Sequence, residues 1–346
     1  MASLEERLKE QARARGFALT GIAPATAADG FPEFAAWLDR GFAGEMDYLR
    51  KHRDARRHPE AVLRSVRSVL MVGMEYGPGE LQPVPPLAGR VAKYAQGPNY
   101  HRLLWDRLND LADWLRAERP GASVKAVADT APLLERDFAR RAGLGWIGKN
   151  TLLIDPRRGS FFFLGALLTD RELTPDPPFE ASHCGTCTAC LDACPTDAFP
   201  EPHVLDATRC ISYLTIELRS PISVELRAPM GDWLFGCDIC QDVCPWNRKF
   251  AGQAPMFPHD TTLEALDAME LLGLDEAAFR ARFKGTSLWR TKRTGLLRNA
   301  AIVLGNSGHR RALAALERAL TDDPLIAEAA AWAIDRITRT RDAPGY

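Results

Sequence analysis

Between Tyr100 and Glu118 the residues Leu103, Leu104, Leu108, Leu111 and Leu115 recur at intervals of three and four. That spacing gathers side chains on one helical face and predicts an amphipathic helix. Leu4 to Arg15 and Phe34 to Arg40 carry the same period. Val66–Met74, Val124–Ala128, Thr151–Ile154 and Ser160–Thr169 are short apolar runs that read as strands, the last too apolar to face water. Pro132 to Ala142 reads as a helix. The first 175 residues therefore predict a mixed α/β domain. Pro175, Pro177 and Pro178 mark a linker. After Pro245 the chain passes through Pro255 and Pro258 into a helical tail. There Leu296–Leu304 stops at Gly305-Asn306-Ser307-Gly308, and Arg310–Leu320 forms a second helix. Asp323-Pro324 opens a third, to about Thr338. These helices read either as one or two solenoid-like repeats or as a plain helical cap.

Cysteine spacing changes the picture most. All eight cysteines lie between Cys184 and Cys244. Cys184, Cys187, Cys190 and Cys194, followed by Pro195, give C-x2-C-x2-C-x3-C-P, the bacterial ferredoxin spacing. Cys237, Cys240 and Cys244, followed by Pro245, repeat its last three positions. Leu234 occupies the missing slot, and Cys210 is the one thiol left to replace it. The fourth cysteine of each such run ligates the other cluster. The pairing then closes as Cys184, Cys187, Cys190 and Cys244 around one 4Fe–4S cluster, and Cys210, Cys237, Cys240 and Cys194 around a second. Zinc is the alternative for C-x2-C pairs, but it does not call for this spacing.

Composition adds bounds. The chain has 346 residues, 46% hydrophobic and 26% charged, with a net charge of −1, as expected of a soluble globular protein without a global field. The early Glu5, Glu6 and Glu10 and the lack of a long apolar run argue against a targeting or membrane segment. A cytoplasmic chain is expected, where thiols stay reduced. Charge is segregated in the tail: between Arg282 and Arg318 nine basic residues face one acid, Glu317. This cluster, with Trp289 inside it, suits a phosphate backbone or is a solvated face.

Asp129 follows a strand and precedes Pro132. It reads either as a helix cap or as a general acid, and capping lowers a carboxyl pKa whereas a donor near neutral pH needs it raised. His101 and His183 read as hydrogen-bonded structural residues. Gly143-Leu-Gly-Trp-Ile-Gly148-Lys149-Asn150 nearly matches a phosphate loop. Asn150 replaces the magnesium-holding hydroxyl, and a helix precedes the motif while a strand follows, so the glycines read instead as a turn approaching a flat ligand or another backbone.

Several of these blocks together resemble the epoxyqueuosine reductase family. They are Asp129-Thr-Ala-Pro132-Leu-Leu-Glu135-Arg136 with Gly143 to Lys149, Lys93-Tyr94-Ala-Gln-Gly97-Pro-Asn-Tyr100-His101, Cys210-Ile-Ser212-Tyr213-Leu-Thr215-Ile-Glu217, and Gly236-Cys237-Asp238 through Cys244-Pro-Trp-Asn. Lys93 and Asn99 depart from the Arg and Asp expected there. The resemblance implies an α+β protein in three parts: a cobalamin-binding α/β domain over 1–175, a ferredoxin-like two-cluster domain over 176–255, and a HEAT-like, tRNA-contacting helical domain over 256–346. It implies reduction of epoxyqueuosine to queuosine at the tRNA wobble position, with two 4Fe–4S clusters reducing a cobalamin and Asp129 protonating the departing oxygen. By the same resemblance Arg56, Tyr94, Tyr100, Asp129, Leu153, Ser212 and Asp238 belong to the cobalamin pocket. Arg219, Arg290, Lys292, Arg293 and Arg298 are candidates for tRNA contact. Arg57 beside Arg56 leaves room for a slip of one. The implied partners are modified tRNA and an unidentified low-potential electron donor, and the expected state is a monomer. A corrinoid reductive dehalogenase and a ferredoxin-type carrier are the alternatives. The first would carry an export signal, and the second has no need of 175 preceding residues.

Overall fold

In the computed structural model residues 2–77, 83–248 and 257–339 are described. The expected boundary at 255/256 and Pro255 lie outside them. The first sheet has the order β1-β2-β7-β4, from Leu19–Pro24 (β1), Ser68–Glu75 (β2), Phe162–Thr169 (β7) and Val124–Val127 (β4), all neighbours antiparallel. Leu70, Val72 and Met74 of β2 face one apolar cluster and Val69 and Met71 face another. Period-two alternation in a strand sends successive side chains to opposite faces, so an unbroken apolar run means cover on both. On one face lies the Tyr100–Glu118 helix, burying Leu104, Leu108, Leu111 and Leu115, beside the Leu4–Ala14 helix. That first helix starts at a Ser3–Glu6 capping box. On the other face the Glu135–Arg141 helix buries Phe138 and Ala139. Each fully buried Leu or Phe contributes roughly 1.5–3 kcal/mol.

The expected linker is stitched down. The Asp176 carboxylate accepts the Ile22 amide at 2.7 Å and Lys9 Nζ at 2.5 Å, tying this stretch to β1 and the first helix.

A second sheet joins Ala88–Val91 (β3) in parallel to Trp233–Phe235 (β8) and antiparallel to Ala265–Asp267 (β9). Sequence periodicity found none of these three, nor β1: Gly21 and Gly89 interrupt β1 and β3, and β8 and β9 have three residues each. The short strands Trp146–Ile147 (β5) and Leu153–Ile154 (β6) pair with each other. One apolar core takes Val91, Ile211, Leu214, Trp233 and Phe235 together with Leu296, Leu297, Ala300, Ala330 and Ala333. It therefore draws side chains from all three sequence stretches.

The helix expected to stop at Gly305 runs on: it spans Lys292–Ser307 and ends at Gly308, which caps it in the left-handed conformation at φ 65°. Gly305 stays helical because the Pro324–Arg339 helix packs there. A Cβ at 305 would lie 2.7 Å from the Trp332 ring and 2.9 Å from Ala333. Asp323 Oδ1 caps that last helix on the Leu325 amide. Among the described residues no helix is long and apolar enough to cross a membrane.

Candidate cluster sites and a polar recess

Cys184, Cys187, Cys190 and Cys244 line a single cavity of about 220 Å³, with Lys149, His183 and Trp246 beside them. This is the crossed set that the spacing predicts. A zinc ion would draw four thiolates to about 2.3 Å from one point, so the cavity favours a larger group. The remaining thiols lie together and next to the first set: Cys240 feels Cys210, then Cys190 of the first set and Cys194, and Cys237 feels Cys210 and Cys240. Burial and then the adjacent sulfurs push the Cys190 thiol up to about 11. A cationic centre reverses that penalty, since bound metal deprotonates thiols outright. The donor chemistry and the cavity both suit iron–sulfur clusters.

Local structure explains the ligand spacing. Leu234, in the slot where the second motif lacks a cysteine, is fully buried in β8. The fourth thiol instead comes from Cys210, which precedes the Ile211–Ile216 helix and receives the Ser212 and Tyr213 amides. Cys194 receives the Ala198 amide at 3.4 Å, and Cys184 the Trp146 Nε1 at 3.5 Å. Such N–H···S contacts tune cluster potentials.

The Gly143–Asn150 stretch supports these loops. Gly145 lies so close to its neighbour strand that a Cβ would sit 2.1 Å from the Ile154 carbonyl oxygen. Gly143 and Gly145 therefore approach backbone, and Gly148 the Ile154 side chain. Lys149 Nζ donates to the Gly185 and Cys187 carbonyls at 2.8 and 2.9 Å, and Asn150 Nδ2 to the Cys240 carbonyl at 3.3 Å. Two consecutive side chains thus hold the two cysteine motifs, a role the near-miss phosphate loop did not disclose.

Asp129 occupies the wall of a recess: 57% of its side chain is open although protein rings it closely. It does not cap the helix. Leu134 is the N-cap there and makes no side-chain bond. Instead Asp129 Oδ2 accepts the Tyr100 hydroxyl at 3.0 Å and meets His101 Nε2 at 2.8 Å, while the Asp129 amide donates to Glu135 Oε1 at 2.8 Å. Burial pushes the Asp129 carboxyl up, but His101, Tyr100 and Arg290 outweigh it and hold it below the usual range. Glu135 goes the other way, to about 8, through burial and then the Asp129 charge. The two adjacent carboxyls therefore differ in charge at neutral pH, Asp129 ionised and Glu135 protonated.

Arg56 belongs to this recess. Its charge couples to Tyr48, Glu135 and Asp129, while Arg57 turns away onto the Phe31 ring at 4.6 Å. Tyr94 meets Tyr100 edge-on at 6.0 Å and Phe235 at 6.2 Å. The aromatic pair thus connects Asp129 to the turn carrying Cys237. Asp238 is buried there, its carboxylate accepting the Lys93 amide at 2.7 Å. Burial first, then Asp242, pushes it up to about 7 against the pull of that amide and of Lys93. Leu153 is different: its side chain is packed in the sheet core. At the mouth, Arg290 pairs with Glu217 through two bonds of 3.0 Å and lies over the Tyr48 ring at 5.6 Å. His101, Glu135, Glu217 and Tyr48 were not singled out from sequence as site residues. The hydrogen-bonding role expected of His101 holds, but its partner is Asp129.

The basic tail requires a correction. Arg298 is 1% exposed and donates to the Leu214, Leu218 and Ser220 carbonyls and to Asn299 Oδ1. It is a core brace and cannot reach a phosphate. Its helix position among Leu296, Leu297 and Ala300 was the available signal. Arg293 is paired with Asp322 at 2.9 and 2.5 Å. Arg219 donates to the Ile216, Thr291 and Arg290 carbonyls. Lys292 is exposed, with Nζ 5.2 Å from the Trp289 ring.

An antiparallel α/β unit joined to two sets of four thiols defines an iron–sulfur oxidoreductase. Residues 183–247 match the 4Fe-4S double cluster binding domain family, and residues 56–130 match the family of epoxyqueuosine reductase QueG. The epoxyqueuosine reductase of Pseudomonas aeruginosa is 42% identical, over 88% of this chain and 86% of its own. That of Escherichia coli is 39% identical, over 98% and 91%. The chain belongs to the epoxyqueuosine reductase family. A crystal structure of an epoxyqueuosine reductase with an epoxyqueuosine-modified tRNA-Tyr stem loop superposes with TM-score 0.88 at 31% identity, over 96% of this chain and 90% of that one. A Bacillus subtilis structure, with an aspartate-bearing catalytic loop swung out of the active site, gives 0.87 at 30%, with the same coverage.

Proposed function

We propose that this chain reduces epoxyqueuosine to queuosine at the wobble position of tRNA anticodons, using two 4Fe–4S clusters and cobalamin. The observation that carries the reading is Asp129: an ionised carboxylate open to a recess, held by Tyr100 and His101, one aromatic pair away from the second thiol set.

The two crossed thiol sets hold one cluster each. Cys187 is exposed, and the Cys210–Cys237–Cys240 set adjoins the recess through Asp238 and Arg136. The first set, open at Cys187, would be the side facing a low-potential electron donor, and the second the side facing the recess. The edge-on Tyr94–Tyr100 pair, with Arg56 coupled to Asp129 and Glu135, gives an apolar face with a polar rim that suits a large macrocycle, with Ser212, beside Cys210, as a further candidate contact. Asp238 lies buried beside Tyr94, whereas the Leu153 side chain packs on the other face of the first sheet, so a contact from Leu153 would come from its backbone. Bound cobalamin supplies two-electron reducing power at one metal centre, which single-electron clusters lack.

The protein's own contribution is the proton. Removing an epoxide oxygen as water takes two electrons and two protons. A carboxyl held below its usual range is a strong acid but is seldom protonated at neutral pH. The His101 ring, 2.8 Å from Asp129 Oδ2, solves this by passing one proton through Asp129 to the leaving oxygen, and solvent at the open recess supplies the second. General acid catalysis of this kind contributes roughly 10²–10⁴-fold. Lys292 and Arg290, at the mouth side of the helical tail, meet the tRNA. That tail serves as a HEAT-like platform, and the protein works as a cytoplasmic monomer.

The test is an anaerobic assay of cluster-reconstituted protein with cobalamin, a strong reductant and epoxyqueuosine-bearing tRNA. Queuosine is expected, and its absence overturns the reading. Asp129→Ala and His101→Gln retain clusters and cobalamin and lose at least about 100-fold in kcat. Full turnover in Asp129→Ala would return that residue to a structural role.

A further inference from the structure

The Asp129 backbone is strained in a definite way. Its φ is 59°, and the Thr130 amide donates to the Ala128 carbonyl oxygen two residues back, at 2.6 Å. That is a γ-turn of the rare positive-φ kind. Non-glycine residues persist in such conformations only where the surroundings over-determine them. Tyr100 and His101 hold the side chain, but neither touches the backbone. Among the described residues the Asp129 amide is held by Glu135, whose Oε1 accepts it at 2.8 Å.

Glu135 is well placed for this. It opens the Glu135–Arg141 helix, which is anchored independently of the 129–134 loop. Phe138 and Ala139 are fully buried, the Asp137 carboxylate accepts the Asp29 amide at 2.9 Å, and Arg141 donates to the Ala27 carbonyl at 3.0 Å. The fixed end of the contact is therefore Glu135 and the adjustable end is the loop. We propose that Glu135 is the positioning residue of the site, holding the Asp129 backbone in its left-handed turn so that the carboxylate stays aligned with Tyr100, His101 and the recess. What this role demands of residue 135 is an acceptor oxygen on a helix-borne side chain of this length. A charge is not required, and burial together with the Asp129 carboxylate keeps the Glu135 carboxyl protonated at neutral pH. Glutamine meets the same demand.

The inference rests on the proposed function for its kinetic consequence, but its structural content can be read without turnover. The full chain with clusters reconstituted is compared as wild type, Glu135→Ala and Glu135→Gln. Amide hydrogen exchange over 129–134 reports the loop, and single-turnover reduction of an epoxyqueuosine-bearing stem–loop reports the chemistry. In Glu135→Ala the loop amides exchange about fivefold faster, as losing one ordinary hydrogen bond implies. Single-turnover rate falls on the order of 100-fold, the cost of a small misplacement, while stem–loop affinity stays within about twofold of wild type. Glu135→Gln stays within about threefold of wild type in both rate and exchange. Unchanged loop exchange in Glu135→Ala overturns the proposal. So does a Glu135→Gln variant as impaired as Glu135→Ala, since that would make the ionisable proton, not the acceptor, the requirement. Should Glu135→Ala fail to fold, Glu135→Gln alone decides: rate and loop exchange within about threefold of wild type support the role, and a single-turnover loss on the order of 100-fold overturns it. Should wild type yield no queuosine, the functional reading fails while the exchange comparison still decides the role of Glu135.

Discussion

Arg298 Nη2 donates to the Leu214 carbonyl oxygen at 2.6 Å, fastening the Lys292–Ser307 helix to the short helix that starts after Cys210. Its guanidinium is spent on backbone carbonyls and Asn299 inside the core, and burial pulls its pKa down to about 10. Proximity to the recess in sequence thus conceals two different jobs for tail cations.

Arg298→Met is expected to destabilise the protein by about 3 kcal/mol, because it leaves several buried carbonyls without donors. Lys292→Glu is expected to leave the melting temperature nearly unchanged while weakening tRNA binding and lowering the salt slope by about 1. Melting midpoints and stem–loop titrations at two salt concentrations check both. A stable Arg298→Met with weakened, less salt-dependent binding would reverse the two assignments.

What the sequence disclosed depends on whether a signal is local. Helical periodicity located Tyr100–Glu118 to the residue, because five leucines repeat over about three and a half turns. The cysteine spacing disclosed the first ligand set that lines the cavity, because chain geometry near a cube is itself local. The recess was legible only in part. Asp129 was visible as one carboxyl with two readings, and local statistics favoured the cap. The deciding partners, Tyr100 and His101, come from a helix almost thirty residues earlier. Arg298 failed for the same reason in reverse: counting charges along the chain ignores which helical face they occupy.

The crossed ligand sets predict a specific pattern of double substitution. Cys184 and Cys244 lie in different motifs but share one cavity, whereas Cys184 and Cys194 share a motif but belong to different sets in the crossed assignment. Cys184→Ser with Cys244→Ser should therefore remove no more iron than either change alone, leaving about four irons of eight. Cys184→Ser with Cys194→Ser should strip both clusters. Iron analysis and electron paramagnetic resonance of anaerobically purified protein read the result. The opposite ranking of the two double variants would mean each motif builds its own cluster.

Glu135 makes the remaining prediction through linkage. Its carboxyl titrates near 4.5 in the unfolded chain and is pushed up to about 8 in the fold, by burial first and the Asp129 carboxylate second. Below about pH 4.5 both states hold the proton and the group has no effect. Between the two values only the folded state holds it, so stability falls as pH rises, by roughly 1.4 kcal/mol per unit at most. Above about 8 the loss is complete and the slope vanishes. Asp238, pushed up to about 7, slopes the same way, so wild type alone cannot isolate Glu135. The difference from Glu135→Gln can, because the amide keeps the acceptor and removes the titration. Melting midpoints of the two proteins, taken anaerobically at one scan rate, should converge near pH 5 and separate progressively toward pH 8, with the glutamine variant the higher. Parallel curves across that window would show that Glu135 ionises normally in the fold, and its proximity to the Asp129 carboxylate would then have to be neutralised by Arg56 and Arg136, the two cations that face it.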